Sequence, residues 1–152
     1  MKRIILINIM LAFCLSACEP ILFPIYDQVW YLEAKDGDGK VVTQLTFPAE
    51  GGIQTIYVQT TLPYWIARPT SLSGLVYTHP DADEFGYIEY KGLDGWLTVK
   101  FRQKAMGIFN GEIEVTVEEN TTGVPRSDGI YIFNDDIPAF HTADFTITIT
   151  QH

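Results

Sequence analysis

Apolar and polar residues alternate with a period of two along much of this 152-residue chain. The alternation is clearest from Glu112 to Glu118: Ile113, Val115 and Val117 fall on one side, Glu112, Glu114, Thr116 and Glu118 on the other. Successive side chains of a strand point to opposite faces, so the pattern predicts a sheet with one wet face. Phe145–Thr150 sets Phe145, Ile147 and Ile149 against three threonines, and Trp96–Arg102 sets Leu97, Val99 and Phe101 against Thr98 and Lys100. β-Branched and aromatic content predicts further strands at 28–34, 41–47, 53–60, 64–67 and 130–133, and a short one at 86–90. Asp36-Gly37-Asp38-Gly39 and Pro48-Ala49-Glu50-Gly51-Gly52 read as turns, with 41–47 returning from the first. A calcium loop would want an oxygen ligand where Lys40 stands, which favours the turn. Gln103–Met106 favours helix but is too short to hold one alone. Seven to eight short strands with turns between them predict an all-β domain, an antiparallel immunoglobulin-like β-sandwich.

The first 17 residues break this pattern. A basic start, Met1-Lys2-Arg3, precedes an apolar run from Ile4 to Leu15 and then Ser16-Ala17-Cys18. That order resembles a bacterial lipoprotein signal peptide over 1–17, which implies lipid on the Cys18 sulfur. The run falls short of the roughly 20 apolar residues a spanning helix needs. Each buried methylene contributes about 0.8 kcal/mol, so two or more acyl chains anchor stably where one is marginal. Residues 18–27, with Pro20 and Pro24, read as a tether, and 28–152 as a single domain. The expected location is the bacterial outer membrane, reached through the lipid anchor only and facing the periplasm or the cell surface. The other cysteine, Cys14, lies in the signal, so the mature chain would have neither a free thiol nor a disulfide.

Charge narrows the partners. The chain has 10 basic and 19 acidic residues; without Lys2 and Arg3 the balance is 8 against 19, a net charge of −11. Such a surface repels phosphate backbones and argues against nucleic acid.

Several motifs from 47 to 151 resemble, in order, those of BACON domains, the Bacteroidetes-associated immunoglobulin-like β-sandwich modules. They are Phe47-Pro48-Ala49-Glu50-Gly51-Gly52, then Trp65, Trp96-Leu97, Gly111 with the strand after it, Asn120-Thr121-Thr122-Gly123, Arg126, and a closing strand from Phe145 to Gln151. The resemblance implies the sandwich fold, and the family name proposes carbohydrate binding. Residue chemistry gives the motifs plainer roles: Trp65 and Trp96 in the core, Gly51 and Gly52 in the turn, Asn120 capping the bend after its strand, and Arg126 paired with a strand-edge carboxylate or solvated. With Val115, Val117, Ile147 and Ile149, the two tryptophans form the expected core.

Candidate chemistry concentrates in 75–95, the least regular part of the mature chain. Tyr77, Tyr87 and Tyr90 offer planar faces for sugar C–H surfaces, and Asp81, Asp83 and Glu84 offer acceptors for hydroxyl groups. Loops carried by a rigid scaffold are where binding tends to reside, which makes these six residues the candidate ligand site. The competing reading has the tyrosines covering the core and the acids keeping the loop soluble. His79 with the same acids suits calcium better than zinc, and a solvated acidic loop is the favoured alternative, so no metal and no cofactor are assigned. No serine sits at a strand–turn–helix elbow and no glycine-rich loop opens a helix, so no catalytic residues are assigned. The expectation is a non-catalytic, membrane-anchored lipoprotein whose partner is a carbohydrate or an envelope protein. The alternative is a spacer or interaction component of an envelope or surface assembly.

Overall fold

The structure is a computed structural model that describes residues 31–61, 64–74, 80–104, 109–134 and 144–152. The expected signal peptide and tether, Cys18, Tyr77, His79 and His141 lie outside the described residues. Within them the chain forms nine strands: β1 (Leu32–Lys35), β2 (Gln44–Phe47), β3 (Gly52–Thr60), β4 (Ile66–Pro69), β5 (Ile88–Lys91), β6 (Leu97–Lys104), β7 (Phe109–Val117), β8 (Arg126–Phe133) and β9 (Phe145–Gln151). A 3-10 turn, Thr70–Leu72, follows β4. No helix among the described residues is long and apolar enough to cross a membrane.

The strands pair into a five-stranded sheet, β1-β3-β7-β6-β5, and a four-stranded sheet, β2-β9-β8-β4. The chain changes sheet at every step from β1 to β5 and once more between β7 and β8, and the two sheets make an all-β sandwich. Every pairing is antiparallel except β2 with β9, which run parallel. The period-two pattern determines what lies between the sheets. Ile56, Val58, Leu97, Val99, Phe101, Ile113 and Val115 come from one sheet, and Phe47, Ile66, Ile130, Ile132, Ile147 and Ile149 from the other, all buried. Trp65, Trp96 and Val117 are buried with them, as expected.

The strands depart from the sequence expectation in four ways. Nine form, one in each segment the sequence marks, against a total of seven to eight expected. Residues 41–47 do not return beside β1: one bridge, Lys35 to Val41, follows the Asp36 turn, and the chain then crosses to the other sheet. Leu45 and Phe47 gain buried positions there, in register with Ile149 and Gln151 of β9. β6 continues through Gln103, which was read as helix-favouring, because Gln103 stays in register with Gly111 and its amide donates to the Trp65 carbonyl at 2.6 Å. β8 begins at Arg126, four residues before the apolar run that signals it. Its polar start is held by Asp128, whose carboxylate accepts from Thr70 Oγ1 at 2.6 Å and Ser71 Oγ at 2.7 Å.

Several of the motifs singled out in the sequence, Pro48-Ala49, Trp96, Arg126 and Gln151, meet at one end of the sandwich. Gln151 is fully buried, and its amide nitrogen donates to the carbonyls of Pro48, Ala49 and Glu118 at 3.0, 3.1 and 2.9 Å. Its amide oxygen accepts from Arg126 Nε at 2.7 Å. Among the described residues Arg126 pairs with no carboxylate, contrary to one expectation, and it is not merely solvated, contrary to the other. Its terminal nitrogen donates to the Glu118 and Glu119 carbonyls at 2.8 and 3.2 Å, and its guanidinium lies 4.7 Å from the Trp96 ring centroid. Backbone carbonyls at strand ends lack ladder partners, and these side chains supply them. Asn120 caps its bend as expected: it accepts from the Thr122 amide at 3.2 Å and donates to the Val124 carbonyl at 2.8 Å. Gly51 has φ +77°, and a Cβ there would lie 2.2 Å from the Val117 carbonyl oxygen, so the turn closes only on glycine.

Gly111 serves packing instead. A Cβ at 111 would sit 2.2 Å from Trp65 Cζ2 and 2.7 Å from the Arg102 carbonyl oxygen, so the missing side chain is the space the indole occupies. Gly111→Ala is expected to cost about 2–3 kcal/mol by overpacking, and to lower Tm by roughly 10 °C. Thermal denaturation followed by near-ultraviolet circular dichroism measures it, and an unchanged Tm would mean that Trp65 does not fill that space.

Candidate functional site

The candidate loop is built around Asp83. Its backbone amide donates to the Tyr87 carbonyl at 2.8 Å, and its Oδ1 accepts from the Phe85 and Tyr87 amides at 2.9 and 2.8 Å. Its Oδ2 lies 3.2 Å from Lys100 Nζ. The carboxylate therefore folds the loop back on itself and ties it to β6. These bonds, first of all the Tyr87 amide, hold its pKa below the ordinary aspartate value. A lowered carboxyl pKa contributes stability that is present above the unfolded-state pKa and is lost as pH falls through the lowered one. Asp81 and Glu84 are exposed beside it. Among the described residues no three His, Cys, Asp or Glu side chains gather as a metal-holding group.

Tyr87 lies on the outer face of the five-stranded sheet, and its ring is already occupied. Arg102 Cζ is 4.5 Å and Lys100 Nζ 4.9 Å from the ring centroid. Its hydroxyl donates to Glu112, which also accepts from Arg102 at 2.5 Å. The bond to Glu112 favours the protonated phenol and raises its pKa. Tyr90 points the other way: it is 5% exposed and stacks on Phe101, with centroids 6.3 Å apart and planes within 5°. The structure thus brings Asp83 and Tyr87 together on β6, leaves Asp81 and Glu84 in solvent, and places Tyr90 in the core. Tyr131, another aromatic outside the core, stacks on Phe133 with centroids 4.7 Å apart.

A different tyrosine presents its ring. Tyr57 on β3 is 44% exposed, and no aromatic or cationic group stacks on it among the described residues. It lines an open cleft of about 480 Å³ with Lys35, Asp36, Gly37, Gly39 and Gln59. Alternation puts it there: Ile56 and Val58 are buried, so Tyr57 and Gln59 face outward. The far wall is the Asp36 turn, in which Asp36 Oδ1 accepts from the Asp38 and Lys40 amides at 3.0 and 2.9 Å. The turn expected at 36–39 is therefore present. Lys35 crosses between the walls, donating to Gln59 Oε1 at 2.6 Å and lying 3.3 Å from Glu33 Oε2. The sequence signal for Tyr57 was an aromatic at an outward position of an alternating strand. It was passed over because the irregular 75–95 stretch holds more tyrosines and acids.

Compared with known proteins, the chain matches no family model, no curated protein and no solved structure.

Proposed function

We propose that this chain is a non-catalytic envelope lipoprotein, tethered through lipid on Cys18, whose BACON-like sandwich contacts glycans through the outer face of its five-stranded sheet. The observation that carries the reading is the exposed, unstacked ring of Tyr57 in an open cleft between hydrogen-bonding side chains. Sugar rings bind by laying a C–H face on an aromatic plane and meeting polar groups at the edge, and a flat sheet face offers both. The BACON-like reading is supported by the ordered motifs and by their convergence on Gln151 and Arg126. The non-catalytic reading is supported by how three carboxylates are used: Asp83 folds its loop, Glu112 holds Arg102 and Tyr87, and Asp128 holds Thr70 and Ser71.

The glycan reading is tested by electrophoresis of the full chain through gels containing neutral polysaccharide, where retardation is expected. The anchor is tested separately. Cys18→Ser is expected to leave an unprocessed precursor and to move the protein out of the detergent phase on Triton X-114 partition. Normal processing with retention in the detergent phase would contradict lipidation at Cys18.

A second reading is favoured by Phe85, which is 65% exposed at the tip of the Asp83 loop. An exposed aromatic on a rigid loop suits a protein partner in an envelope assembly. Capture of an envelope protein that is lost on Phe85→Ala, without retardation in any polysaccharide gel, would select it.

A further inference from the structure

We propose that the cleft between the Asp36 turn and β3 binds one ring of a neutral glycan, with Tyr57 as the stacking surface, Gln59 as donor and Asp36 as acceptor. The proposal rests on the glycan-contacting reading above and assigns it a site and a ligand class.

The hydrogen-bonding groups in the cleft are divided between fold and solvent. Asp36 uses Oδ1 to close its turn, and its Oδ2 has no partner among the described residues. Gln59 spends its Oε1 on Lys35, and the two protons of its Nε2 have no partner among the described residues. The Tyr57 hydroxyl also has no partner among the described residues. The opening thus holds one free acceptor, one free double donor and one aromatic face. A sugar ring is complementary to this set: its C–H face is apolar, and its rim hydroxyls both donate and accept. Gly37 and Gly39 add no side chain to the wall opposite Tyr57, so the space between the walls stays open. The volume of about 480 Å³ lies within the roughly 300–1,000 Å³ of small-molecule sites.

Electrostatics selects a neutral ligand. Among the described residues the one cation lining the cleft, Lys35, is already held by Glu33 and Gln59. Its charge is therefore met within the protein, and the free Asp36 oxygen repels sulfate or carboxylate groups. The Tyr87 ring cannot substitute for Tyr57, because Lys100 and Arg102 already cover it.

The test is titration calorimetry on the full chain in detergent micelles, with hexasaccharides of glucose, mannose, galactose and xylose and with a heparin hexasaccharide. At least one neutral probe is expected to bind, and heparin is not. Tyr57→Ala is expected to weaken binding at least about tenfold with Tm unchanged. Tyr57→Phe should retain most of the affinity, and Gln59→Ala should weaken it several-fold. Should Tyr57→Ala lower Tm, Gln59→Ala carries the test, since its side chain is on the surface. Neutral-probe binding that survives both Tyr57→Ala and Gln59→Ala overturns this site and leaves the glycan reading standing. Binding of heparin alone overturns the ligand class, and binding of no probe overturns both the site and the reading.

Discussion

Val115→Asp is expected to leave the domain unfolded. Val115 is fully buried at the centre of the five-stranded sheet, where β7 pairs with β3 on one side and β6 on the other. Its register partners are Gln54 and Val99, and neither brings a positive charge to the inner face. An aspartate there is a buried charge without a partner, or a protonated carboxyl with unmet hydrogen bonds. Either state costs more than about 4 kcal/mol, against a net stability of roughly 5–15 kcal/mol for a domain of this kind. Loss of the cooperative thermal transition, with loss of near-ultraviolet circular dichroism, is the expected result. An unchanged Tm would mean that Val115 is not in the core. Thr116→Asp, one residue along on the outer face, is the control and should change stability by less than about 1 kcal/mol.

Gln151→Leu is expected to destabilise nearly as much for a different reason. The volume is similar, so packing is largely kept. What is lost is one amide that serves the Pro48, Ala49 and Glu118 carbonyls and accepts from Arg126. A buried polar group left unmet costs about 1–3 kcal/mol. The Glu118 carbonyl keeps Arg126 as a donor, Ala49 keeps the Asn120 amide and Pro48 keeps the Gly51 amide, which leaves the Arg126 Nε most exposed to the change. The expected loss is about 2–3 kcal/mol by urea denaturation. Gln151→Glu, which keeps the acceptor for Arg126 and removes the donor, should fall between. A loss below about 1 kcal/mol for Gln151→Leu would mean that the end of the sandwich is held by packing rather than by this network.

The pattern of alternation made the inner faces readable, because burial of a strand residue follows directly from its parity. Ile113, Val115, Val117, Ile147 and Ile149 needed no more than that. Partner choice was not readable in the same way. Nothing local to 41–47 says that Phe47 gains more beside Gln151 of β9 than beside β1, since that depends on residues a hundred positions away. The placement of the tyrosines was hidden for a related reason. Tyr57, Tyr87 and Tyr90 are alike in sequence, and their fates are decided by cross-strand neighbours. Tyr87 is covered because the loop folded by Asp83 lays it over Lys100 and Arg102 of β6. Tyr90 faces inward because its register partner is Val99. Tyr57 sits between Lys35 and Glu112 in register, and neither stacks on its ring. Irregularity in 75–95 fits a ligand site and a self-folded loop alike, and the hydrogen bonds of Asp83 that shape its own loop cannot be read from the sequence.

The central claim is that ligand contact belongs to the Tyr57 cleft and not to the Asp83 loop. The most direct measurement is the change in backbone amide chemical shifts of the full chain in detergent micelles as a neutral hexasaccharide is added. The account predicts perturbations at Lys35–Lys40 and at Tyr57–Gln59, with Asp81–Tyr90 unmoved. Perturbations confined to Asp81–Tyr90, with the cleft unmoved, would contradict it.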